Sequence, residues 1–137
     1  MNVPFFDINR IHEPMQEQLS NAFHKVLKRG SFILDCAVEE FEKRFANYIT
    51  AKYACGVDNG TSALELILRA SDIGKGDEVI TTPASFIASS SSIAFAGAKP
   101  VFVDIDQKTY TINPELIEKA ITKKTKAIMP VHLYGQS

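Results

Sequence analysis

The sequence predicts an α/β domain in which a mostly parallel sheet is covered by helices on both faces, a three-layer arrangement. Short apolar runs alternate with segments of helical spacing from residue 53 onward, which is the order expected of a parallel sheet with right-handed crossovers. Two of these runs, 101–103 and 127–129, are apolar at every position. Continuous apolar runs of this kind are typical of parallel strands that are buried on both faces.

Two helices are predicted before the alternating part of the chain. The first runs from Pro14 to Arg29, and Gly30 follows it as a C-terminal signal. Its apolar stripe consists of Met15, Leu19, Ala22, Phe23, Val26 and Leu27. After a short apolar loop over 31–35, a second helix is expected from Ala37 to Tyr48. The residues expected to point inward from it are Val38, Phe41, Phe45 and Tyr48. We therefore expect a helical segment over 1–50 and an α/β part over 51–137.

The α/β part is predicted to contain strands and helices joined by short turns. The predicted strands are 53–57, 78–82, 99–105 and 126–133. The predicted helices are 61–71, 86–96 and 114–121, the last of them with Asn113 as its cap and Pro114 at its first position. Residues 74–77 form a turn between the first of these helices and the second strand. Ligands of such sheets bind beyond the carboxyl ends of the strands.

Composition excludes several classes of function. Lys and Arg number 15 and Asp and Glu number 16, for a formal net charge of −1, so no basic excess favours nucleic acid or an anionic membrane. Cys36 and Cys55 have neither CxxC spacing nor a neighbouring histidine cluster, so we expect free thiols, not a metal site or disulfide framework. Residues 1–7 lack the pattern of a signal peptide, and no apolar run reaches the length of a membrane span. A cytoplasmic protein is expected.

The segment Asp58-Asn59-Gly60-Thr61-Ser62 is the main candidate binding site. It joins a predicted strand to a predicted helix, and the first N–H groups of a helix lack intrahelical partners and lie at the positive end of its dipole. A phosphate fits such a position, where the hydroxyls of Thr61 and Ser62 can add hydrogen bonds. Taken alone, the turn is more often a plain helix cap. The sequence lacks both GxGxxG and GxxxxGK[ST], so neither a dinucleotide fingerprint nor a P-loop is predicted.

Other candidate residues follow the ends of the predicted strands. Phe86 can stack on a flat ring ligand, although an isolated Phe is more often a core residue. Asp104 and Asp106 suggest a metal or acid–base pair, but a turn leading into Gln107 explains them better. His132 is equally compatible with a general base, a ring contact and a hydrogen-bonded structural residue. The lysines at 119, 123, 124 and 126 are expected to be a solvated helix end.

Several stretches together resemble the N-terminal part of the DegT/StrS-type sugar aminotransferases, which use pyridoxal 5′-phosphate. The order and spacing of these stretches agree along essentially the whole chain. They are Gly30–Leu34 with Val38–Glu42, Gly56–Leu64, Gly76–Ile80, Pro83–Ala88, Gly97–Asp104 and Pro130–Gln136. Asp35 stands where the family often has Gly, and Ser85 stands where Thr is common.

The resemblance implies the large domain of a type I pyridoxal-phosphate transferase. It also implies that Gly60 and Thr61, with Asn59 adjacent, hold the cofactor phosphate and that the ring of Phe86 stacks on the pyridine ring. Nucleotide-linked keto-sugars and glutamate are the implied substrates, and a homodimer is the implied assembly. The Gly30–Leu34 loop would lie near the dimer interface and the sugar.

The length of the chain sets a limit on the implied activity. Members of the family are about two to three times the length of this chain, well beyond one ordinary domain. In the family, the Schiff-base lysine and the acid that pairs with the pyridinium nitrogen follow the matched stretch. We therefore expect a truncated large domain that cannot transaminate alone, with no catalytic residue assigned here. Two alternatives remain: a short non-catalytic domain that keeps the anion site or a dimer surface, and a family dehydratase that uses histidine in place of the lysine.

Overall fold

A computed structural model describes residue 4 and residues 6–137. Contacts group the chain into two units, residues 1–56 and residues 57–137. Residues 1–3 and 5, on which the expectation about a signal peptide partly rests, lie outside the described residues. Among the residues described, no helix is both long enough and apolar enough to cross a membrane.

The described part of the first unit is helical. Its elements are α1 (Asn9–His12), a 3₁₀ turn (Glu13–Met15), α2 (Gln16–Arg29) and α3 (Cys36–Tyr48). Gly30 ends α2 with a left-handed φ of 70°, and its N–H donates to the carbonyls of Val26 and Leu27, a C-cap that favours glycine. The Asp35 side chain caps α3 by accepting from the Cys36 N–H at 2.6 Å. The two predicted long helices are therefore confirmed to within two residues at each end.

The predicted inward direction is wrong for three of the four α3 side chains, and the fourth, Val38, is half-buried. Phe41, Phe45 and Tyr48 are all exposed, and Ala46 is the one described residue of α3 that is buried. The apolar stripe of α2 is likewise exposed at Leu19, Phe23 and Leu27. The helical period determines that apolar residues share one face, but the described residues of this unit contain no sheet against which that face packs.

The second unit is an α/β structure built on a parallel sheet. Its elements are α4 (Gly60–Ala70), β1 (Glu78–Thr81), α5 (Ala88–Phe95), β2 (Lys99–Phe102), α6 (Pro114–Ala120), β3 (Thr125–Met129) and a second 3₁₀ turn (Leu133–Gly135). The sheet order is β2-β1-β3, and β1 pairs in parallel with both neighbours. The Asn113 side chain caps α6 by accepting from the Glu115 N–H at 2.9 Å, as predicted.

Helices cover both faces of this sheet, so the predicted three layers are confirmed. On one face, Val79 of β1 packs with Leu68 of α4 and Ile93 of α5. On the other face, Ile80 packs with Val103 and Ile112, and the half-buried side chains of α6 lie against this second cluster. Both Val79 and Ile80 have no exposed surface, because β1 is the central strand and each of its faces is covered.

The predicted strand over 53–57 is wrong. The described residues of that stretch have no strand partner, and the Gly56 N–H donates to Glu42 Oε1 at 2.7 Å instead of to a neighbouring strand. The expectation of burial on both faces is also wrong for the two outer strands, since Phe102 and Ile128 are exposed. Each outer strand pairs only with β1, so these side chains lie at the edges of the described sheet.

Glu78, at the start of β1, is a buried carboxylate whose ionisation makes the stability of the fold depend on pH. Its Oε2 accepts from the Thr122 hydroxyl at 2.6 Å and its Oε1 accepts from Lys99 Nζ at 3.2 Å. The Thr122 hydrogen bond, followed by the Lys99 contact, lowers the pKa of Glu78 below its ordinary value. Because the pKa is lower in the folded state than in the unfolded state, ionised Glu78 stabilises the fold at pH values above its unfolded-state pKa. This stabilisation is lost as the pH falls through the folded-state pKa.

We therefore expect Glu78→Gln to reduce the acid sensitivity of the protein. Urea unfolding of wild type and variant at pH 7 and at several values below pH 4.5 measures the effect, because the ordinary glutamate pKa is about 4.3. The variant should lose stability at pH 7 and show a smaller decline on acidification. Glu118→Gln, at an exposed position of α6, is the control, and an equal pH dependence for Glu78→Gln and wild type would contradict the assignment.

Candidate functional site

The carboxyl ends of the three strands bring the candidate residues to one edge of the sheet. Because β1, β2 and β3 are parallel, the segments that follow Thr81, Phe102 and Met129 all leave the sheet on the same side. These segments carry Phe86, Asp104 and His132. The edge beyond the carboxyl ends is where α/β sheets bind ligands.

The first turn of α4 lies at the same end of the unit. Helices α4 and α5 pack against each other, and Arg69 Nη2, near the end of α4, donates to the carbonyl of Phe95 at the end of α5. The two C-termini are therefore adjacent and the helices run in the same direction. Since α5 begins just after the carboxyl end of β1, the start of α4 also lies on the carboxyl side of the sheet.

The turn before α4 leaves two backbone donors available. Asn59 is the N-cap residue, and its Oδ1 accepts from the Ser62 N–H at 3.0 Å. Its Nδ2 donates to Asp58 Oδ2 at 2.8 Å, which fixes the amide. Within residues 6–137, no backbone or side-chain group accepts from the N–H of Gly60 or Thr61, and the Thr61 hydroxyl has no hydrogen bond. The space over Gly60 is open, since a Cβ built there meets no atom within 4 Å.

The Asp58 carboxylate is hydrogen-bonded within this turn. Hydrogen bonding from the Ser62 hydroxyl is the largest influence on the Asp58 carboxyl, and together with the backbone N–H groups of Asp58 and Asn59 it lowers the pKa of Asp58. Asp58 is therefore ionised at neutral pH and holds the Asn59 amide by a charge-assisted hydrogen bond. The Asn59 side chain satisfies the third N–H of the helix, so the first two are the donors that can bind an anion.

Phe86 is not a core residue. Its side chain is 76% exposed, and it shares a cleft of about 240 Å³ with Phe102 and with hydroxyl residues of the 82–90 segment. An exposed ring next to a strand end is available to stack on a flat ligand. The alternative of a core position for Phe86 is therefore wrong in this structure.

The other candidates have simpler explanations. Asp106 Oδ1 accepts from the N–H groups of Lys108 and Thr109 at 2.8 and 3.1 Å, which confirms the predicted turn and lowers the pKa of Asp106. Among the described residues, no group of three His, Cys, Asp or Glu side chains could hold a metal ion. His132 is exposed just before the second 3₁₀ turn, and both cysteines are free thiols. The predicted solvated lysines are exposed.

The arrangement fits a ligand that carries both a phosphate and a flat ring. The free N–H groups of Gly60 and Thr61, the Thr61 hydroxyl and the positive end of α4 suit a phosphate. The exposed ring of Phe86 lies on the same side of the sheet. Pyridoxal phosphate combines these two chemical features, so the residues present fit that cofactor.

Comparison with known proteins decides the family. The sequence profile described as "DegT/DnrJ/EryC1/StrS aminotransferase family" matches residues 13–137. The chain belongs to this family. Membership agrees with the parallel α/β sheet and with the type I pyridoxal-phosphate transferase fold that the resemblance implies.

Transaminases of nucleotide-linked sugars are among the relatives of this DegT/DnrJ/EryC1/StrS member. The chain is 50% identical over 135 residues to the dTDP-3-amino-3,6-dideoxy-alpha-D-galactopyranose transaminase of Aneurinibacillus thermoaerophilus, covering 98% of this chain and 37% of that protein. Among solved structures, DesV of S. venezuelae has a TM-score of 0.92 at 41% identity over 98% of this chain and 36% of its own. NtdA from Bacillus subtilis, with bound cofactor PMP, has a TM-score of 0.92 at 37% identity over 99% of this chain and 32% of its own. The chain therefore spans about a third of the length of these relatives.

Proposed function

We propose that this chain is the N-terminal portion of a pyridoxal-phosphate-dependent nucleotide-sugar aminotransferase, which transfers an amino group from glutamate to a keto-sugar. The observation that carries the proposal is the pair of unpartnered N–H groups at Gly60 and Thr61, on the same side of the sheet as the exposed Phe86. The substrate class is supported by those relatives whose names are those of nucleotide-sugar transaminases.

Each proposed site residue has a distinct task. Gly60 and Thr61 donate backbone N–H groups, and Thr61 adds its hydroxyl, to the phosphate oxygens. Asn59 holds the turn in the required shape through its hydrogen bonds to Ser62 and Asp58. Phe86 covers one face of the pyridine ring and excludes water from it. When bound, pyridoxal phosphate supplies an electron sink for amino transfer.

We assign the groups that act on the reacting atoms to residues outside these 137. Such chemistry needs a lysine that holds the cofactor covalently and an acid that keeps the ring nitrogen protonated. We assign that lysine to none of Lys123, Lys124 and Lys126, so in our proposal both groups come from the remainder of a protein of the relatives' length. The 137-residue chain by itself is then inactive.

An amino-transfer assay tests this function. We expect the full-length protein, supplied with pyridoxal phosphate, glutamate and a keto-sugar nucleotide, to form a glutamate-dependent amino-sugar nucleotide, measured by mass spectrometry. The 137-residue chain under the same conditions should give none. A full-length protein that neither binds the cofactor nor forms the product would contradict the proposal, and loss of water from the sugar without gain of nitrogen would favour the dehydratase alternative.

We also propose that the full-length enzyme is a homodimer. The exposed apolar face of α2, formed by Leu19, Phe23 and Leu27, supports this, because exposed apolar patches often mark surfaces that a partner covers. Light scattering after gel filtration of the full-length protein should give twice the mass of one chain. A mass of one chain at micromolar concentration would contradict the proposed dimer and leave the cofactor site unaffected.

A further inference from the structure

The segment that carries Phe86 is held by hydrogen bonds of its own hydroxyl residues. The Ala84 N–H donates to Thr82 Oγ1 at 3.2 Å, and the Ser85 N–H donates to the carbonyl of Pro83 at 2.9 Å. The ring of Phe86, in contrast, is largely exposed. Because the ring is largely exposed, its direction depends mainly on the backbone conformation at Phe86.

Ser89 contacts the Phe86 segment at two points. Its hydroxyl oxygen lies 2.7 Å from the hydroxyl oxygen of Ser85, and its N–H donates to the carbonyl of Phe86 at 3.1 Å. Ser89 is 7% exposed, whereas Ser85 is half-buried. The buried hydroxyl of Ser89, in the first turn of α5, thus holds Ser85, the residue before Phe86, while the Ser89 N–H holds Phe86 itself.

We propose that Ser89 is a positioning residue, which acts through Ser85 to fix the direction of the Phe86 ring toward the cofactor. The inference rests on the proposed function and goes beyond it, because Ser89 itself touches no cofactor atom. Losing this hydroxyl leaves the partner hydroxyl of Ser85 unpaired and removes one of the contacts that hold the backbone before the ring. The ring of Phe86 is then held less firmly, and part of its stacking contact with the cofactor is lost.

Cofactor titration of the full-length apoenzyme tests the proposal. We expect Ser89→Ala to weaken pyridoxal phosphate binding about twofold to tenfold, the range of a net hydrogen-bond contribution, and to change the visible circular dichroism of the bound cofactor. Ser85→Ala breaks the same pair from its more accessible side and should reproduce both changes if Ser89→Ala fails to fold. Ser91→Ala is the control, because among the described residues the Ser91 hydroxyl makes no hydrogen bond and does not line the Phe86 cleft, and the affinity of this variant should stay within about twofold of wild type.

A double-mutant cycle with Phe86→Leu separates positioning from a general structural role. If Ser89 acts through the ring, Ser89→Ala should cause little further loss of affinity in the Phe86→Leu background. Two results would overturn the inference while leaving the proposed function intact. One is an equal loss of affinity from Ser89→Ala in both backgrounds. The other is wild-type affinity and wild-type dichroism in both Ser85→Ala and a folded Ser89→Ala. Failure of the wild-type apoenzyme to bind pyridoxal phosphate would overturn both.

Discussion

Thr61→Val in the full-length enzyme should weaken pyridoxal phosphate binding about tenfold to hundredfold, as expected for a lost hydrogen bond to a charged group. Valine keeps the branched shape of threonine, and it leaves the N–H groups of Gly60 and Thr61 and the Asn59 cap in place. The hydroxyl that has no partner among the described residues is the group removed. Equilibrium titration of the apoenzyme, followed by the absorbance of the bound cofactor, measures the effect.

Thr61→Ser is the matched variant for this prediction. It keeps the hydroxyl and loses only a methyl group at a half-buried position. We expect its affinity for pyridoxal phosphate to stay within about threefold of wild type, since small changes at partly exposed positions have small effects. Equal affinities for the Val and Ser variants would show that the hydroxyl does not bind the phosphate.

Ile93→Ala should be the most destabilising of the substitutions considered, by about 2–5 kcal/mol. Ile93 of α5 has no exposed surface and packs in the cluster that also contains Leu68, Ile73 and Val79. Shortening it leaves a cavity between α5 and the central strand, and the surrounding helices relax only partly into it. Urea unfolding of the full-length apoenzyme, which removes the contribution of the cofactor, measures the loss.

Ile93→Val provides the graded control for this core prediction. It removes a single methylene, so the expected cost is about 0.5–1.5 kcal/mol. The cofactor affinity of this variant should match that of wild type, because Ile93 packs in the core cluster and does not line the Phe86 cleft. A free energy of unfolding that is the same for the Ala variant and for wild type would contradict the assigned core.

Local signals in the sequence predicted much of this fold. Gly30 and Asn113 mark the ends of helices where the structure has them, because capping is decided by residues close in sequence. The central strand was predicted within one residue. The strand over 53–57 and the direction of the α3 side chains were not predicted correctly, because both depend on which neighbour covers the segment, and periodicity carries no such information.

The position of the candidate site was predicted from the sequence, but its detailed contacts were not. The start of α4 and the segment at Phe86 follow from strand order, and the structure places both on the carboxyl side of the sheet. The exposure of Phe86 and the pairing of Ser85 with Ser89 did not follow from the sequence. Serines four residues apart at the start of a helix are the signal that could have indicated the pair.

A crystal structure of the full-length enzyme with pyridoxal phosphate bound tests the central claim most directly. The measured quantity is the distance from the backbone nitrogens of Gly60 and Thr61 to the nearest phosphate oxygens. We expect about 2.7–3.2 Å for both, the range of N–H···O hydrogen bonds, with the ring of Phe86 against the pyridine ring. A phosphate held by other residues, with the first turn of α4 free of it, would contradict the assignment.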